Sequence, residues 1–121
     1  MLFRSARSSG LVVYHFGAPL YFANSTLFLD EIEEVVINAP TPVRWFVLDA
    51  AAITDIDITG GEVLKRLSGL LSDRKITFAV SRADRTFRSW LETYGLMELI
   101  DPGRFYPTNR HAAAAFRKES V

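Results

Sequence analysis

The stretch "VRWFVLDAAAITDIDITGGEVLKRL", residues 43–67, joins a buried strand to the start of a helix. Residues 43–50 are almost uninterrupted apolar sequence, which is expected of a strand that is covered on both faces of its sheet. From Val63 onward, apolar residues recur with helical spacing. A buried strand followed directly by a helix is typical of a parallel sheet, so the stretch predicts an α/β domain in which this strand is central.

Further strands and helices alternate around this stretch. The runs "LVVYHF" (residues 11–16) and "KITFAVS" (residues 75–81) have the composition of strands. The run "APLYFA" after Gly17 predicts another strand, which begins at Pro19 and forms a hairpin with the first. Apolar residues with helical spacing predict about four helices: residues 27–36 before Pro40, residues 63–71, residues 87–94 before Gly95, and residues 108–115 with Thr108 as the cap.

Composition limits the kinds of protein that the chain can be. Its 121 residues are enough for one domain, and 49% of them are hydrophobic, which suffices for a buried core. Fourteen basic residues balance fourteen acidic ones, so no general attraction to nucleic acid is expected. The absence of cysteine excludes disulfide bonds and thiol catalysis. No apolar run reaches the roughly 18 residues of a membrane span, so the chain itself is expected to be soluble.

The segment "TDIDITGG" (residues 54–61) has two interpretations. In the structural one, Thr59 and Glu62 form a capping box at the start of a helix. Asp55 and Asp57 then face solvent or the positive end of the helix, and the isoleucines that alternate with them point inward. In the catalytic interpretation, the two carboxylates act together on a substrate, which requires a further base to position water or a nucleophile.

No combination of residues is typical of catalysis or of metal binding. His15 and His111 are the remaining candidate bases, and two isolated histidines do not form a metal site. The phosphate-binding patterns G-x-x-x-x-G-K-[ST] and G-x-G-x-x-G are absent. Asp49 ends a buried strand, as in a receiver domain, but no acidic pair ends the first strand and no lysine follows the last. The sequence therefore predicts no enzyme, no catalytic residue, no metal and no resident cofactor.

Loops meet at the carboxyl edge of the predicted sheet, where α/β folds bind ligands: residues 22–26, 50–61 and 81–88. Arg85 and Arg88 share a face at the start of the third helix and, together with Arg82, could hold a phosphate. In the alternative interpretation, Arg88 pairs on a solvated face with Asp84 and Glu92, each of which lies four residues away.

Two of these segments together carry a resemblance to a known family. "PLYFANS" (residues 19–25) and "FVLDAAAITDIDITG" (residues 46–60) resemble the STAS domain, the cytoplasmic carboxyl-terminal module of SulP-family sulfate and anion transporters. The similarity covers residues 11–116. It implies a small mixed, mostly parallel β-sheet flanked by about four α-helices, and a regulatory and interaction role.

The resemblance also implies a location and partners. The location is the cytoplasmic face of the cell membrane, and the expected partner is the transmembrane domain of the same chain. A cytosolic protein partner is left open, and nucleic acid is not expected. Residues 1–10 contain Arg4 and Arg7 but no acid, which is typical of a segment that follows a membrane span on the cytoplasmic side. They are predicted to be a flexible basic lead, and residues 11–121 to be the STAS domain.

A free-standing partner-switching protein, similar to bacterial anti-sigma-factor antagonists, is the alternative. In those relatives a partner kinase phosphorylates the first serine of an Asp-Ser-Ser-Gly turn. Asp57, Ile58, Thr59 and Gly60 align with this turn, so isoleucine stands at the phosphorylated position. The departure argues for the transporter branch and leaves Thr59 as a weak substitute phosphoacceptor.

The family is also associated with nucleotide binding, which makes weak binding of GTP, GDP or ATP a hypothesis. Arg82, Arg85 and the amino ends of the helices attract phosphate, whereas Asp55 and Asp57 repel it, so we expect a dissociation constant of roughly micromolar to millimolar. The predicted site consists of Phe22, Asn24, Ser25, Asp55, Asp57, Thr59, Gly60, Ser81, Arg82 and Arg85.

Overall fold

The computed structural model describes residues 3–119, in which strands and helices alternate along most of the chain. The strands are β1 (Phe3–Ser8), β2 (Leu11–Phe16), β3 (Trp45–Asp49), β4 (Thr77–Ser81) and β5 (Phe105–Tyr106). The α-helices are α1 (Phe22–Ile37), α2 (Ile58–Asp73), α3 (Arg85–Thr93) and α4 (Asn109–Glu119). Two short 3-10 turns, Met97–Leu99 and Pro102–Arg104, occupy the segment before β5.

One five-stranded sheet forms the centre of the domain, in the order β1-β2-β3-β4-β5. β1 and β2 are antiparallel, and every other neighbouring pair is parallel. All five residues of β3 are buried, as expected for the middle strand of a sheet that is covered on both faces. The predicted small mixed, mostly parallel sheet with four α-helices is therefore confirmed.

Alternate residues of β3 face two different cores. Phe46 and Leu48 belong to the larger core, which α1, α2 and α3 cover. Trp45 and Val47 belong to the smaller core, where they pack with Phe116 of α4. Each core is formed where the apolar side of one or more helices packs against one face of the sheet. α4 also starts as predicted, because the hydroxyl of Thr108 accepts a hydrogen bond from the amide of His111 at 3.1 Å.

The predicted hairpin between residues 11–16 and a strand from Pro19 is wrong. Leu20 makes an isolated bridge to Ile56, and α1 begins at Phe22. The run "APLYFA" is apolar, but Phe22 is 72% exposed, so its apolar character does not reflect burial in a sheet. The antiparallel partner of β2 is instead β1.

The predicted flexible lead is also corrected, because residues 3–8 form strand β1 in register with β2. A strand at this position is set by the backbone ladder with its neighbour and does not require an apolar pattern of its own. The domain therefore includes this segment. Residues 1, 2, 120 and 121, which belong to the predicted lead and domain, lie outside the described residues.

Candidate functional site

The loops that precede α1 and α2 are joined by backbone hydrogen bonds at the carboxyl edge of the sheet. The amide of Leu20 donates to the carbonyl of Asp55 at 2.9 Å, and the amide of Asp57 donates to the carbonyl of Leu20 at 3.2 Å. Leu20 and Ile56 are both buried. This pairing holds the first turns of the two helices side by side.

Asp57 caps both of these helices. Its Oδ1 accepts a hydrogen bond from the amide of Gly60 in α2 at 2.7 Å, and its Oδ2 accepts one from the amide of Phe22 in α1 at 2.8 Å. One carboxylate thus satisfies a free donor at two helix starts, where negative charge is also favoured. The two amides are consequently not free to bind an external anion.

The predicted capping box of Thr59 and Glu62 is wrong. Asp57 has extended backbone angles and is the N-cap, so α2 begins at Ile58 and Thr59 already lies inside its first turn. The serine or threonine pattern placed the cap two residues too late, because an aspartate also caps helices and came earlier in the chain.

Asp55 supports the start of α1 through Tyr21. The phenol of Tyr21 donates to Oδ2 of Asp55 at 2.6 Å, and this hydrogen bond raises the pKa of Tyr21. Asn24 accepts a hydrogen bond from the amide of Tyr21 at 3.0 Å and donates to the carbonyl of Pro19 at 2.8 Å. The hydroxyl of Ser25 is directed back to the carbonyl of Phe22 at 3.1 Å. Tyr21 was not predicted, since a tyrosine before a helix carries no recognised capping pattern.

Large apolar side chains remain exposed at this same place. Phe22 and Ile58, the first residues of α1 and α2, are each 72% exposed, and Tyr21 is 39% exposed. The prediction that both isoleucines of the segment point inward is therefore right for Ile56, which is 1% exposed, and wrong for Ile58. Ile58 occupies the first position of α2, and most of its surface is in contact with solvent.

A small cavity of about 130 Å³ lies beside Ile58. It separates the first turns of α2 from the end of α3, and the residues that line it are Ile58, Gly61, Glu62, Lys65, Tyr94, Gly95, Leu96 and Leu99. Tyr94 also fixes the loop before α2, because its hydroxyl donates to the carbonyl of Ile56 at 2.9 Å.

A second polar cluster lies on the opposite face of the sheet, under α4. His15, Asp49 and Ser81 form one row across β2, β3 and β4. The Asp49 carboxylate is 1% exposed and accepts hydrogen bonds from Arg82 at 2.6 and 3.0 Å and from Asn109 at 2.9 Å. Ser81 is buried and donates to the side chain of Asn109. Asn109 was missed because a single asparagine at a helix start gives no sign of a partner sixty residues away.

The charge state of Asp49 follows from these contacts. Burial by itself raises the pKa of a carboxyl group, but the hydrogen bonds from Arg82, Asn109 and the Ala51 amide, and the charge of Arg82, lower the pKa of Asp49 to about 2. Nδ1 of His15 lies 3.3 Å from Oδ2 of Asp49 but does not have hydrogen-bond geometry. The cluster is therefore a buried ion pair with polar neighbours.

Arg82 is held in this cluster with an unusual backbone. Its φ is 54°, in the left-handed region that residues with a side chain rarely adopt. The amide of Arg82 donates to the carbonyl of Tyr106 in β5, and the guanidinium pairs with Asp49. Ser81 and Arg82, which were predicted to join the anion site, therefore bind other residues of the protein on the α4 side of the sheet.

The basic residues at the start of α3 do not make the ion pairs that one of the sequence interpretations predicted. Asp84 is the N-cap of α3 and accepts a hydrogen bond from the amide of Phe87 at 2.8 Å. The Arg88 guanidinium lies 4.3 Å from the ring centroid of Phe105. The ion pairs found within residues 3–119 do not include the predicted pairs of Arg88 with Asp84 or Glu92. Arg85 is exposed.

Two further features are absent from the part of the chain that the structure describes. In residues 3–119, no three histidine, cysteine, aspartate or glutamate side chains are grouped so that they could hold a metal ion. Among the same residues, none of the helices combines the length and the hydrophobicity that a membrane span requires.

The chain is similar to part of several sulfate transporters and probable sulfate transporters. The family model described as "STAS domain" matches residues 4–112. A probable sulfate transporter of Mycobacterium tuberculosis is 36% identical over 115 residues, which cover 95% of this chain and 20% of the transporter. The chain thus spans about a fifth of the length of the curated relatives that it matches.

Solved structures share the fold. The STAS domain of a SulP transporter from Vibrio cholerae superposes with a TM-score of 0.74 at 23% identity, over 98% of this chain and 91% of that one. The anti-sigma factor antagonist SpoIIAA superposes with a TM-score of 0.65 at 12% identity, over 98% of this chain and 99% of that one. At these identities the likeness shows the fold alone. From the family match and the transporter relative together, the chain belongs to the STAS domain family.

Proposed function

We propose that the chain is the regulatory and interaction domain of a SulP-family sulfate or anion transporter and lies at the cytoplasmic face of the membrane. The observation that carries the proposal is the 36% identity, over 95% of this chain, to one fifth of a sulfate transporter. The rest of such a polypeptide supplies the membrane spans and the path of the anion. The domain then acts on transport through contacts with that part or with a cytosolic protein.

Ile58 supports the transporter branch over a kinase-switched antagonist. It stands at the phosphorylated position of the family turn and has no hydroxyl group. Thr59, the nearest hydroxyl along the chain, is half-buried in the first turn of α2. Because the Thr59 hydroxyl is only partly accessible, we expect no phosphorylation at Thr59.

Cell fractionation with an antibody against the domain tests the proposal. We expect the antibody to detect a polypeptide about five times as long as this chain, which follows from the coverage of 20%. That polypeptide should stay in the membrane pellet after an alkaline wash, and cells that produce it should take up labelled sulfate faster than cells that lack it. A product of about the mass of this chain in the supernatant would contradict the proposal and favour a free-standing partner-switching protein.

We also propose that the domain has no catalytic turnover of its own. The Ser81 hydroxyl, which shares a row with His15 and Asp49, is buried and donates to Asn109, so it is not placed to attack a substrate. Hydrolysis of a nucleoside triphosphate should not exceed the uncatalysed rate. Hydrolysis well above that rate, abolished by Asp57→Asn, would contradict this assignment.

We propose that the domain binds GTP, GDP or ATP only weakly. The amides of Phe22 and Gly60 already bind Asp57, and Arg82 already binds Asp49, so exposed Arg85 is the main group left to attract phosphate. We expect a dissociation constant of roughly millimolar, equivalent to about 4 kcal/mol, that rises with salt. Titration of each nucleotide while following backbone amide shifts measures this. Shifts that cluster away from the loops before α1, α2 and α3 would show that the nucleotide does not bind at these loops.

A further inference from the structure

The helix α4 covers the smaller core with few apolar contacts. Its buried side chains are Ala112 and Phe116, and the first of these is small. By comparison, α1 and α2 each bury four side chains of valine, leucine, isoleucine or phenylalanine. Because burial of apolar surface is the main force that holds a helix against a sheet, α4 is attached less strongly than α1 and α2.

The amino end of α4 is fastened by one polar side chain. Asn109 donates to Oδ2 of Asp49 at 2.9 Å and accepts a hydrogen bond from the hydroxyl of Ser81. The charge of Asp49 does not depend on α4, because its cation, Arg82, follows β4. If α4 left the sheet, Asp49 would keep its ion pair, and water could replace the amide of Asn109.

The carboxyl end of α4 is fastened by Glu119. Its Oε1 accepts a hydrogen bond from the indole of Trp45 at 3.3 Å, and its Oε2 accepts one from Arg104 at 3.0 Å. A negative charge is unfavourable at the carboxyl end of a helix, whereas Arg117 and Lys118 are favourable there. Glu119 therefore opposes formation of the isolated helix and stabilises its attachment to the sheet.

The chain just before α4 has the properties of a hinge. Up to Tyr106 it is held in the sheet, because β5 pairs with β4 and the carbonyl of Tyr106 accepts a hydrogen bond from the amide of Arg82. Pro107 follows and has no amide to bond. Thr108, the cap of α4, binds within the helix and would move with it. The boundary between the held and the movable parts therefore lies at Pro107.

We propose that α4 is a flap, which opens about Pro107 as a unit while the rest of the sheet and the larger core stay folded, and that Glu119 is its latch. Separate opening is expected of an element with few buried apolar contacts. Opening uncovers the apolar face of the sheet that contains Leu11, Trp45 and Val47. The inference goes beyond the proposed function and does not depend on it, because it concerns contacts inside this domain.

Labelling of single cysteines under native conditions tests the inference, since the chain has no cysteine of its own. Val47 of β3 belongs to the smaller core and Val80 of β4 to the larger one, and both are 0% exposed. Val47→Cys and Val80→Cys are therefore matched probes of the two faces. The reagent is uncharged methyl methanethiosulfonate, at concentrations where the labelling rate is proportional to its concentration.

We expect Val47→Cys to react at least about tenfold faster than Val80→Cys, because opening of the flap requires less free energy than global unfolding. The rate for Val47→Cys should also rise less steeply with urea, because opening exposes less surface than unfolding does. Circular dichroism checks that both variants are folded.

A second substitution in each probe separates opening of the flap from global unfolding. Ile32→Val, in the larger core, should raise the labelling rate of Val80→Cys about fivefold and leave that of Val47→Cys unchanged, because Ile32 keeps its contacts when α4 alone opens. Glu119→Gln should raise the labelling rate of Val47→Cys about threefold. Glu34→Gln, an exposed change on α1, is its control and should have no effect. Glutamate and glutamine have similar helix propensity, so the difference reports the latch.

Three results would overturn the inference. Equal labelling rates with equal urea dependence, or equal acceleration of both probes by Ile32→Val, would show that α4 leaves the sheet only in global unfolding. An effect of Glu119→Gln no larger than that of Glu34→Gln would show that Glu119 is not a latch. Amide exchange of the unsubstituted chain gives a check without cysteine: the amides of α4 should exchange faster than those of α2, and equal or slower exchange would also contradict the flap.

Discussion

Asp49 and Asp57 both lie at the carboxyl edge of the sheet, but they stand on opposite sides of it and are stabilised differently. Asp49, under α4, binds the side chains of Arg82 and Asn109, which come from other elements of the fold. Asp57, beside α1 and α2, binds the backbone amides of Phe22 and Gly60. The first is a buried charge pair, and the second is a helix cap shared by two helices.

The difference indicates what each carboxylate depends on. A pair between a carboxylate and a guanidinium requires the negative charge, so it depends on pH and on the presence of the cation. A shared cap requires two acceptor oxygens and two backbone segments that lie close together. Substitutions that alter backbone spacing should therefore harm the Asp57 region, whereas substitutions that alter charge should harm the Asp49 region.

The largest effect is expected from Gly60→Ala, which tests the backbone spacing. A Cβ at Gly60 would lie 2.2 Å from the carbonyl oxygen of Leu20, the atom that accepts the Asp57 amide. Separation of the two loops should lower the free energy of unfolding by about 4 kcal/mol or more.

Gly69→Ala in the same helix is the matched control for this change. No atom lies within 4 Å of a Cβ at Gly69, so the substitution should raise the free energy of unfolding by about 0.5–1 kcal/mol through helix propensity. Urea unfolding of both variants gives the comparison. Equal effects of the two substitutions would show that the loops before α1 and α2 are not closely paired.

Asp49→Ala should give the next largest effect. It leaves Arg82 without its carboxylate and leaves Asn109 with one hydrogen bond fewer. We expect a loss of about 3 kcal/mol, the low end for breaking a buried pair, because the Arg82 side chain is 42% exposed and can reach water. Asp30→Ala, an exposed change on α1, should cost less than about 0.5 kcal/mol in the same urea experiment. If Asp49→Ala lowers the free energy of unfolding no more than this control does, the pair of Asp49 and Arg82 does not stabilise the fold.

The pH dependence separates the two carboxylates further. The pKa of Asp49 is lowered from the ordinary value of 3.8 to about 2. The contribution of Asp49 to the free energy of unfolding is therefore fully present above pH 3.8 and is lost as the pH falls through about 2. A shift of this size corresponds to about 2 kcal/mol. The difference in unfolding free energy between the wild type and Asp49→Asn should be constant above about pH 5 and shrink toward pH 2. A difference that grows as the pH falls would contradict the assignment.

Asp57→Asn should give the smallest of the measurable losses, about 1 kcal/mol. Asparagine has one acceptor oxygen, so it can cap α1 or α2 but not both. Thr59→Ala would cost about 1 kcal/mol if Thr59 were the cap, but it should cost less than about 0.5 kcal/mol because Asp57 is the cap. If Thr59→Ala lowers the free energy of unfolding more than Asp57→Asn does, Thr59 rather than Asp57 is the cap of α2.

The parts of the fold that were predictable from sequence are those with local signals. The buried run of β3 and the apolar repeats of α1 and α2 report burial directly, because each side chain faces the core at a fixed period. Strand β1 was not predictable, because its place depends on pairing with β2 and its sequence, "FRSARS", lacks a strand pattern. The run "APLYFA" led to the opposite error, a strand that is not present. The run is apolar, but its Phe22 is exposed.

The candidate site was predicted in part for a similar reason. The segment with Asp55 and Asp57 was placed at the carboxyl edge correctly, since that position follows from the order of strand and helix along the chain. The grouping of Arg82 with that segment was not reproduced, because alternation along β3 sends Asp49 to the α4 side and Arg82 follows it. Sequence alone does not state which face of a central strand each neighbour covers.

By itself, the sequence determined the α/β class, the order of the main strands and helices, and the motifs that mark a STAS domain. These depend on the period of burial and on residues that are close along the chain. Tertiary structure decided the partners of the two carboxylates, which of the isoleucines is exposed, and the meeting of two helix starts at Asp57. Phe22 and Asp57 are 35 residues apart in sequence, and Asn109 and Asp49 are 60 apart. The physical reason is that such contacts depend on how strands align and how helices pack, and no local pattern encodes that alignment.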